Sequence, residues 1–300
     1  MVIPPELNPG DKVSVIAPSG VVKKSVIENA IDLLREWKLD VVRGRNLYSR
    51  HGFFAGPDNE RLEDLQNAID DDEVKSIFCA RGGYGLSRII DRVNLKSLIS
   101  NPKWIIGYSD ITLLGYYVNR YVELPIIHGE MVINYRSSNR SPETITSLHK
   151  ILFEGCEGHQ WVSDLTREGG AEAVLAGGNL AMICSVAGSG MVEFMKGKIL
   201  FIEEVGEPLY RLDRMMMTLR LSGILAGLSG IVVGGLIDIE ESSVKFGMSA
   251  EEIIMEAVKE YDIPVAFNFP AGHTVDNRAF YLGRGVKFEV EGKSATLEYD

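Results

Sequence analysis

Ser109 stands where a predicted buried strand meets a predicted helix. Residues 104–108 are mostly β-branched or aromatic, and apolar residues recur at helical spacing after the serine, at Ile111, Leu113, Leu114 and Val118. A serine at such a sharp turn projects above the sheet, and the N–H of Asp110 points towards an oxyanion formed at the attacked carbonyl. The pattern predicts a nucleophile. Because Ile111 replaces the second glycine of G-x-S-x-G, a serine that caps the helix is the alternative.

A nucleophilic serine needs a base within hydrogen-bond reach and a third group that orients the base. Histidine is the usual base, and the chain has five. His273 is the best candidate, because it follows a predicted strand end and is flanked by Gly272, which lets the backbone bend. His128, which ends an apolar strand, is a weaker competitor. The others lie in polar segments and are expected to have ordinary roles: His51, His149 and His159.

Two adjacent acids, Glu203 and Glu204, end the apolar strand at residues 199–202. Acids at the end of a buried strand are costly unless they are paired or solvated. Strand alternation sends the two side chains to opposite faces, so one can orient the base at the carboxyl edge of the sheet. The other is then solvated or bonded to Arg211 or Arg214. The alternative is that both are ordinary edge charges.

A glycine turn at residues 81–85, Arg-Gly-Gly-Tyr-Gly, follows a predicted strand and precedes a predicted helix. Such a turn can hold a phosphate with its backbone N–H groups. It lacks both the G-x-G-x-x-G spacing and the lysine of a P-loop, which argues against a nucleotide site. Its N–H groups are instead candidates for the second donor to an oxyanion.

These residues belong to a chain that alternates strand and helix in its first half. We predict strands at residues 12–17, 75–80 and 103–108, followed by helices at 25–38, 86–93 and 111–119. Alternation of this kind predicts a mostly parallel sheet covered by helices. Polar residues concentrate between about 134 and 170, where we place the domain junction.

The second half is predicted to end in β-structure. It begins with a buried helix within residues 173–192, followed by strands at 198–204 and 230–234, helices at 210–222 and 249–260, and strands at 264–269 and 279–282. Ser249 and Glu252 form a capping box, and residues 286–290 and 295–299 form a hairpin. The expected fold is α/β with two domains, residues 1–150 and 173–300, joined by a linker at 151–172.

Composition limits the class of partner. The chain has 300 residues and a net charge of −11, which disfavours nucleic acid or an anionic membrane and favours a small-molecule or peptide substrate. Its cysteines, Cys79, Cys156 and Cys184, are few and widely spaced, so neither a disulfide framework nor a metal site is expected. Residues 1–10 lack the features of a signal peptide, and a reducing cytoplasm is the expected location.

Taken together, these segments resemble the serine LD-carboxypeptidases, a family that includes murein tetrapeptide carboxypeptidases and microcin C immunity peptidases. The resemblance covers nearly the whole chain. It is carried by seven ordered motifs, at residues 13–20, 80–85, 106–112, 128–129, 177–180, 201–214 and 272–277.

The resemblance implies a Ser-Glu-His triad of Ser109, Glu203 and His273, without metal or cofactor. It implies an oxyanion hole from the N–H groups of Asp110 and Gly83, with Gly82 as the alternative donor and Glu204 as the alternative acid. It also implies two α/β domains, the serine on the first and the other two residues on the second, in a homodimer. Family members often have proline after His-Gly, whereas this chain has Glu130, which is expected to add a carboxylate near the domain cleft.

The implied reaction is release of terminal D-alanine from murein tetrapeptide during cell-wall recycling. A carboxypeptidase must bind a free carboxylate, and we assign this task to Arg81, with Arg278 as the alternative and Tyr84 as a further substrate-binding residue. The competing substrate is a peptidyl nucleotide of the microcin type, with Trp161 or Tyr135 as stacking groups. A binding protein that has lost the chemistry is the third possibility.

Overall fold

The computed structural model describes residues 2–241 and 243–300, so Met1 and Ser242 lie outside the described residues. The chain forms two compact units. The first comprises Met1–Cys156 and Val275–Gly283, and the second comprises Glu157–Thr274 and Arg284–Asp300.

The described strands are β1 (Lys12–Ile16), β2 (Asp40–Arg43), β3 (Val74–Cys79), β4 (Trp104–Ile106), β5 (Ile126–His128), β6 (Gly158–Val162), β7 (Thr166–Arg167), β8 (Gly169–Asn179), β9 (Ile199–Val205), β10 (Gly230–Ile237), β11 (Val265–Ala266), β12 (Phe280–Leu282), β13 (Gly285–Glu291) and β14 (Ser294–Tyr299). The α-helices are α1 (Lys24–Glu36), α2 (Asp58–Asp70), α3 (Ser97–Ser100), α4 (Thr112–Val122), α5 (Pro142–Phe153), α6 (Leu180–Ser185), α7 (Val192–Met195), α8 (Leu209–Leu221) and α9 (Ala250–Ala257).

The first unit contains a six-stranded sheet in the order β12-β5-β4-β3-β1-β2. Neighbouring strands are parallel except at the edge, where β12 is antiparallel to β5. The central strands β3 and β4 are almost entirely buried, as the apolar runs predict for a parallel sheet covered on both faces. The predicted parallel α/β arrangement of this part of the chain is confirmed.

One predicted helix of the first unit is not an α-helix. Residues 86–93 form two short 3₁₀ turns, Leu86–Arg88 and Ile90–Arg92. The Leu86 N–H is taken by the side chain of Asp110, and Ile89, at φ −128° and ψ −17°, interrupts the helical backbone between the two turns. The apolar spacing was correctly located, but the non-helical backbone at Ile89 divides the segment into two turns.

The second unit contains an eight-stranded sheet in the order β6-β14-β13-β8-β9-β10-β11-β7. Strands β8 to β11 are parallel, whereas β13, β14 and β6 on one side and β7 on the other are antiparallel to their neighbours. The predicted hairpin of β13 and β14 and the capping box of α9 are both present. The β-rich end of the chain is thus confirmed.

The segment 173–192 is only in part the buried helix that its composition predicted, because helical structure begins at Leu180 and residues 173–179 are strand. It completes β8, and α6 begins only at Leu180, where the Asn179 side chain caps the helix. Gly177 lies so close to β9 that an added Cβ would be 1.9 Å from the Phe201 carbonyl oxygen. Only glycine permits this approach, and helix propensity gave no sign of it.

The units do not follow the predicted boundaries. The division at Cys156 falls inside the segment 151–172 that was predicted to be a linker, and β6 and β7 lie in that segment. Residues 275–283 return to the first unit, because β12 pairs with β5. Among the described residues, the structure has no helix that is both long and apolar enough to span a membrane.

Candidate active-site residues

Ser109 lies at a tight turn between β4 and α4, and we call residues 107–111 the serine turn. The serine has a φ of +63°, in the left-handed region that non-glycine residues rarely adopt. A residue held in this conformation costs about 1–3 kcal/mol and persists only where its surroundings impose it. Ser109 is partly exposed, whereas Tyr108 and Asp110 on either side are buried. The turn therefore presents one hydroxyl from an otherwise buried segment.

Asp110 holds the serine turn from its C-terminal side. Its Oδ2 accepts hydrogen bonds from the Ser19 hydroxyl at 2.6 Å and from the Leu86 N–H at 2.9 Å. Burial raises the pKa of Asp110, and these two donors act against that rise by stabilising the carboxylate. The Asp110 side chain is thus committed to the fold, which leaves its backbone N–H as the group available for chemistry.

The glycine turn lies against the serine turn through Gly82. A Cβ added to Gly82 would lie 3.1 Å from Ser109 Oγ and 3.4 Å from the Asp110 backbone nitrogen, so a larger residue would crowd the hydroxyl. Gly83, with a φ of +97°, instead lies beside the Phe53 ring and the Cα of Gly20. The structure therefore brings Gly82, Ser109 and the Asp110 nitrogen together.

Arg61 anchors the far end of the glycine turn, a role that the sequence analysis did not find. The arginine is 1% exposed, and its Nη1 donates to the carbonyl oxygens of Pro18 at 2.7 Å and Gly85 at 2.9 Å. It is also paired with Asp58. The only indication of this role in the sequence is the position of Arg61 on the apolar face of α2, four residues before the buried Leu65.

The residues assigned to substrate binding differ in their surroundings. Arg81 Nη1 donates to the Val21 carbonyl oxygen at 2.7 Å. Tyr84 is 46% exposed, with its ring centroid 5.9 Å from that of Phe54. Arg278, the alternative, pairs with Asp276 at 2.9 Å.

Glu203 and His273 form a close pair in the second unit. Glu203 is fully buried in β9, and its Oε2 lies 2.7 Å from His273 Nδ1 and accepts the His273 backbone N–H at 3.2 Å. Gly272, at φ +108°, allows the chain to pass this close: an added Cβ would lie 2.8 Å from Glu203 Oε2. The carboxylate thus contacts the imidazole at one nitrogen, as an orienting acid does.

Glu204 points to the other face of β9 and has a different task. Its carboxylate accepts hydrogen bonds from Asn179 Nδ2 at 2.9 Å, from the Ala181 N–H at 2.7 Å and from the Val205 N–H at 2.9 Å. Burial raises its pKa, and these donors oppose the rise. Opposite faces were predicted, but the expected arginine partners were wrong.

Those two arginines are engaged elsewhere. Arg211 pairs with Glu207 at 3.4 Å, and Arg214 lies 5.5 Å from the centroid of the Tyr210 ring. Both pairs involve residues on or next to α8, within one helical turn of each other. Local spacing on a helix surface therefore decided the partners of these arginines.

Other candidates occupy interior positions. His128 is 1% exposed, stacked on Phe280 with a ring-centroid distance of 4.8 Å. Trp161 is 8% exposed and donates to the Phe267 carbonyl oxygen, and Tyr135 is 4% exposed. Neither aromatic residue is an exposed platform for a base, contrary to the expectation for a nucleotide substrate. Within residues 2–241 and 243–300, no group of three or more potential metal ligands is present.

Two family models match the chain in sequence. The model described as the LD-carboxypeptidase N-terminal domain matches residues 13–129, and the LD-carboxypeptidase C-terminal domain matches residues 172–288. A probable murein peptide carboxypeptidase of Bacillus subtilis is 32% identical over 299 residues, which cover 98% of this chain and 94% of that protein. The murein tetrapeptide carboxypeptidase of Pseudomonas aeruginosa is 32% identical over 291 residues, 93% of each chain.

Comparison of structures agrees with these matches. The crystal structure of muramoyltetrapeptide carboxypeptidase from Oxalobacter formigenes has a TM-score of 0.87 and 26% identity, covering 96% of this chain and 98% of that chain. In the comparison of sequences, the microcin C7 self-immunity protein MccF of Escherichia coli is 23% identical over 314 residues, which cover 94% of this chain and 90% of that protein.

Proposed function

Because this chain belongs to the LD-carboxypeptidase family, we propose that it is a serine peptidase that releases terminal D-alanine from murein tetrapeptide in cell-wall recycling. The observation that carries the proposal is the 2.7 Å contact between Glu203 Oε2 and His273 Nδ1. The left-handed Ser109 gives further support, since its strained turn exposes one hydroxyl. The named murein carboxypeptidases among its relatives support the choice of substrate.

In this mechanism, Ser109 attacks the carbonyl of the L,D-amide bond. His273 accepts the serine proton at Nε2 while Nδ1 donates to Glu203, which holds the imidazole in the required tautomer and stabilises its charged form. The tetrahedral oxyanion accepts hydrogen bonds from the backbone N–H groups of Asp110 and Gly83, since the Gly83 nitrogen is bonded to Gly82, the glycine that lies against Ser109. Removal of one such donor typically costs about 10²–10³-fold in kcat.

The second half of the reaction releases the product. His273 donates its proton to the departing amine of D-alanine, the C–N bond breaks, and an acyl ester remains on Ser109. Water, deprotonated by His273, then hydrolyses the ester and restores the serine. Arg81 pairs with the free carboxylate of the substrate through its planar set of N–H donors, and Tyr84 lines the same site.

A direct test is mass-spectrometric detection of D-alanine released from murein tetrapeptide and from its L,L-analogue. We expect release from the L,D substrate alone, and no release by Ser109→Ala. Ser100→Ala is the matched control, since Ser100 is an exposed serine in the same unit. Release by Ser109→Ala at the wild-type rate would contradict the assignment of the nucleophile.

The second candidate is a peptidase that cleaves the amide of an aminoacyl or peptidyl nucleotide, supported by the similarity to MccF. If the tetrapeptide yields no product, such a nucleotide is the next substrate to test. A fluorophosphonate probe separates both activities from a binding protein that has lost its chemistry, because only a reactive Ser109 is labelled. The homodimer and the cytoplasmic location remain predictions; light scattering after gel filtration tests the first.

A further inference from the structure

Glu130 is a fully buried carboxylate that joins several segments of the first unit. Its Oε1 accepts hydrogen bonds from the Met131 N–H at 3.0 Å and Asn134 Nδ2 at 2.8 Å. Its Oε2 lies 2.6 Å from Arg140 Nε and accepts Asn277 Nδ2 at 3.4 Å. A buried charge is tolerated when it has both an ionic partner and hydrogen-bond donors, as this one does. The cluster is therefore a single arrangement that is costly to disturb.

Arg140 extends this cluster to the serine turn. While its Nε pairs with Glu130, its Nη2 donates to the Tyr108 hydroxyl at 3.2 Å. Tyr108 is 2% exposed and directly precedes Ser109 in the chain. The guanidinium of Arg140 is planar and rigid, so the pairing of its Nε with Glu130 also fixes the position of its Nη2. Glu130 thereby determines where Nη2 can donate to the Tyr108 hydroxyl.

The same carboxylate also holds the chain that follows the proposed base. Asn277 is fully buried, and besides its bond to Glu130 its backbone N–H donates to Thr144 Oγ1 at 3.0 Å. Asn277 comes four residues after His273 in the sequence. One buried acid thus contacts the segment next to the nucleophile, through Arg140, and the segment next to the base directly.

We propose that Glu130 is a positioning residue that fixes the serine turn through Arg140 and Tyr108. The inference rests on the proposed function, and it adds a second restraint on Ser109. Asp110 holds the turn from its C-terminal side, and the Glu130 cluster holds it from its N-terminal side. A left-handed serine needs such restraint, because relaxation of its φ moves the hydroxyl.

The expected effect is on the rate of reaction rather than on substrate binding. A displacement of about 1 Å in a reacting group costs about 10²-fold in rate. We therefore expect Glu130→Gln to lower kcat about 10–100-fold, with KM within about twofold of wild type. Tyr108→Phe should have a similar effect, and the double variant should lose little more than the larger single loss, because both changes interrupt one route.

Glu28→Gln is the matched control. Glu28 also pairs with an arginine, Arg43, at 2.6 Å and accepts a tyrosine hydroxyl, that of Tyr48, at 2.6 Å. This second cluster of Glu, Arg and Tyr contacts no residue of the serine turn among its described hydrogen bonds. A general effect of losing such a cluster would appear in both variants.

The experiment measures kcat and KM for murein tetrapeptide, the rate at which a fluorophosphonate labels Ser109, and hydrogen exchange of the Ile111 amide. That amide bonds to the Tyr108 carbonyl oxygen at 3.2 Å, so its exchange reports opening of the turn. We expect slower labelling and faster exchange in Glu130→Gln and Tyr108→Phe, and wild-type values in Glu28→Gln. If Glu130→Gln does not fold, Arg140→Lys takes its place, since it keeps a cation but loses the second contact.

The outcomes separate this inference from the proposed function. Wild-type exchange and labelling in Glu130→Gln, or fully additive losses in the double variant, would overturn the inference whatever the substrate. A wild-type chain that releases no D-alanine would contradict the proposed substrate alone, because exchange at Ile111 still compares the variants.

Discussion

Replacement of Gly272 by alanine tests whether the contact between Glu203 and His273 depends on the close passage of the chain. The added Cβ would lie 2.8 Å from both Cβ and Oε2 of Glu203. Atoms at that distance must separate, and Glu203 is fully buried with little space in which to move. The carboxylate or the His273 backbone must therefore shift, and the 2.7 Å contact with Nδ1 is lost.

The magnitude has two parts. The φ of +108° at Gly272 makes any side chain there cost about 1–3 kcal/mol in unfolding free energy. Overlap with Glu203 adds about 1–3 kcal/mol, the usual cost of overfilling a packed interior. Gly223→Ala is the control, because Gly223 has a φ of +85° and no atom within 4 Å of its added Cβ. Gly223→Ala therefore has the free-energy cost of a positive φ but not the cost of overlap with a neighbouring side chain.

Urea denaturation and kcat for D-alanine release measure both variants. Gly272→Ala should be less stable than Gly223→Ala by about 1–3 kcal/mol and should lose about 10²-fold in kcat, whereas Gly223→Ala should keep its kcat. Equal stability of the two variants together with a wild-type kcat in Gly272→Ala would refute the reasoning, because Glu203 would then tolerate the added methyl group in place.

Four further predictions concern the other contacts. Ser19→Ala removes a hydrogen bond to Asp110, so it should lower the unfolding free energy measured in urea by about 1.5–3 kcal/mol. It should also slow fluorophosphonate labelling of Ser109. Arg61→Ala should cost about 3–5 kcal/mol in the same assay, since its removal leaves a paired acid and two carbonyl oxygens without their donor. Glu203→Gln should lower kcat about 10⁴-fold, as loss of an orienting acid does, whereas Glu204→Gln should change stability and its pH dependence instead. Burial raises the pKa of Glu204, so the folded chain keeps this proton to higher pH than the unfolded chain does, and the unfolding free energy falls as pH rises above the pKa of the unfolded chain. Glu204→Gln should remove that slope in denaturation curves recorded at increasing pH from about pH 4, near the ordinary pKa of glutamic acid.

The sequence predicted those parts of the fold that depend on neighbouring residues. Helix α8 and the strands β9 and β13 lie within two residues of their predicted bounds, because apolar periodicity is a local property. The capping box of α9 was found for the same reason: both of its side chains lie within one turn of the helix. Turn chemistry likewise identified the hairpin of β13 and β14.

Non-local contacts account for the failures. The return of β12 to the first unit depends on pairing with β5, about 150 residues earlier in the chain, and no spacing within either strand indicates it. Residues 175–179 pair with β9, and Gly177 permits a close approach there that composition alone does not reveal. The cluster around Glu130 is also non-local, because it joins residues from four separate parts of the first unit.

The adjacent acids show where sequence reasoning about a site reaches its limit. Alternation along a strand is a property of the backbone, so it correctly placed Glu203 and Glu204 on opposite faces. The partners of each acid depend on which segments pass beside those faces. For Glu203 the segment contains a glycine that admits a histidine. For Glu204 it is the start of α6, where the Ala181 N–H and the Asn179 side chain donate to the carboxylate without a second charge. Glu204 therefore needs no arginine partner. The N–H groups that stabilise its carboxylate carry no net charge, so a search of the sequence for basic residues does not find them.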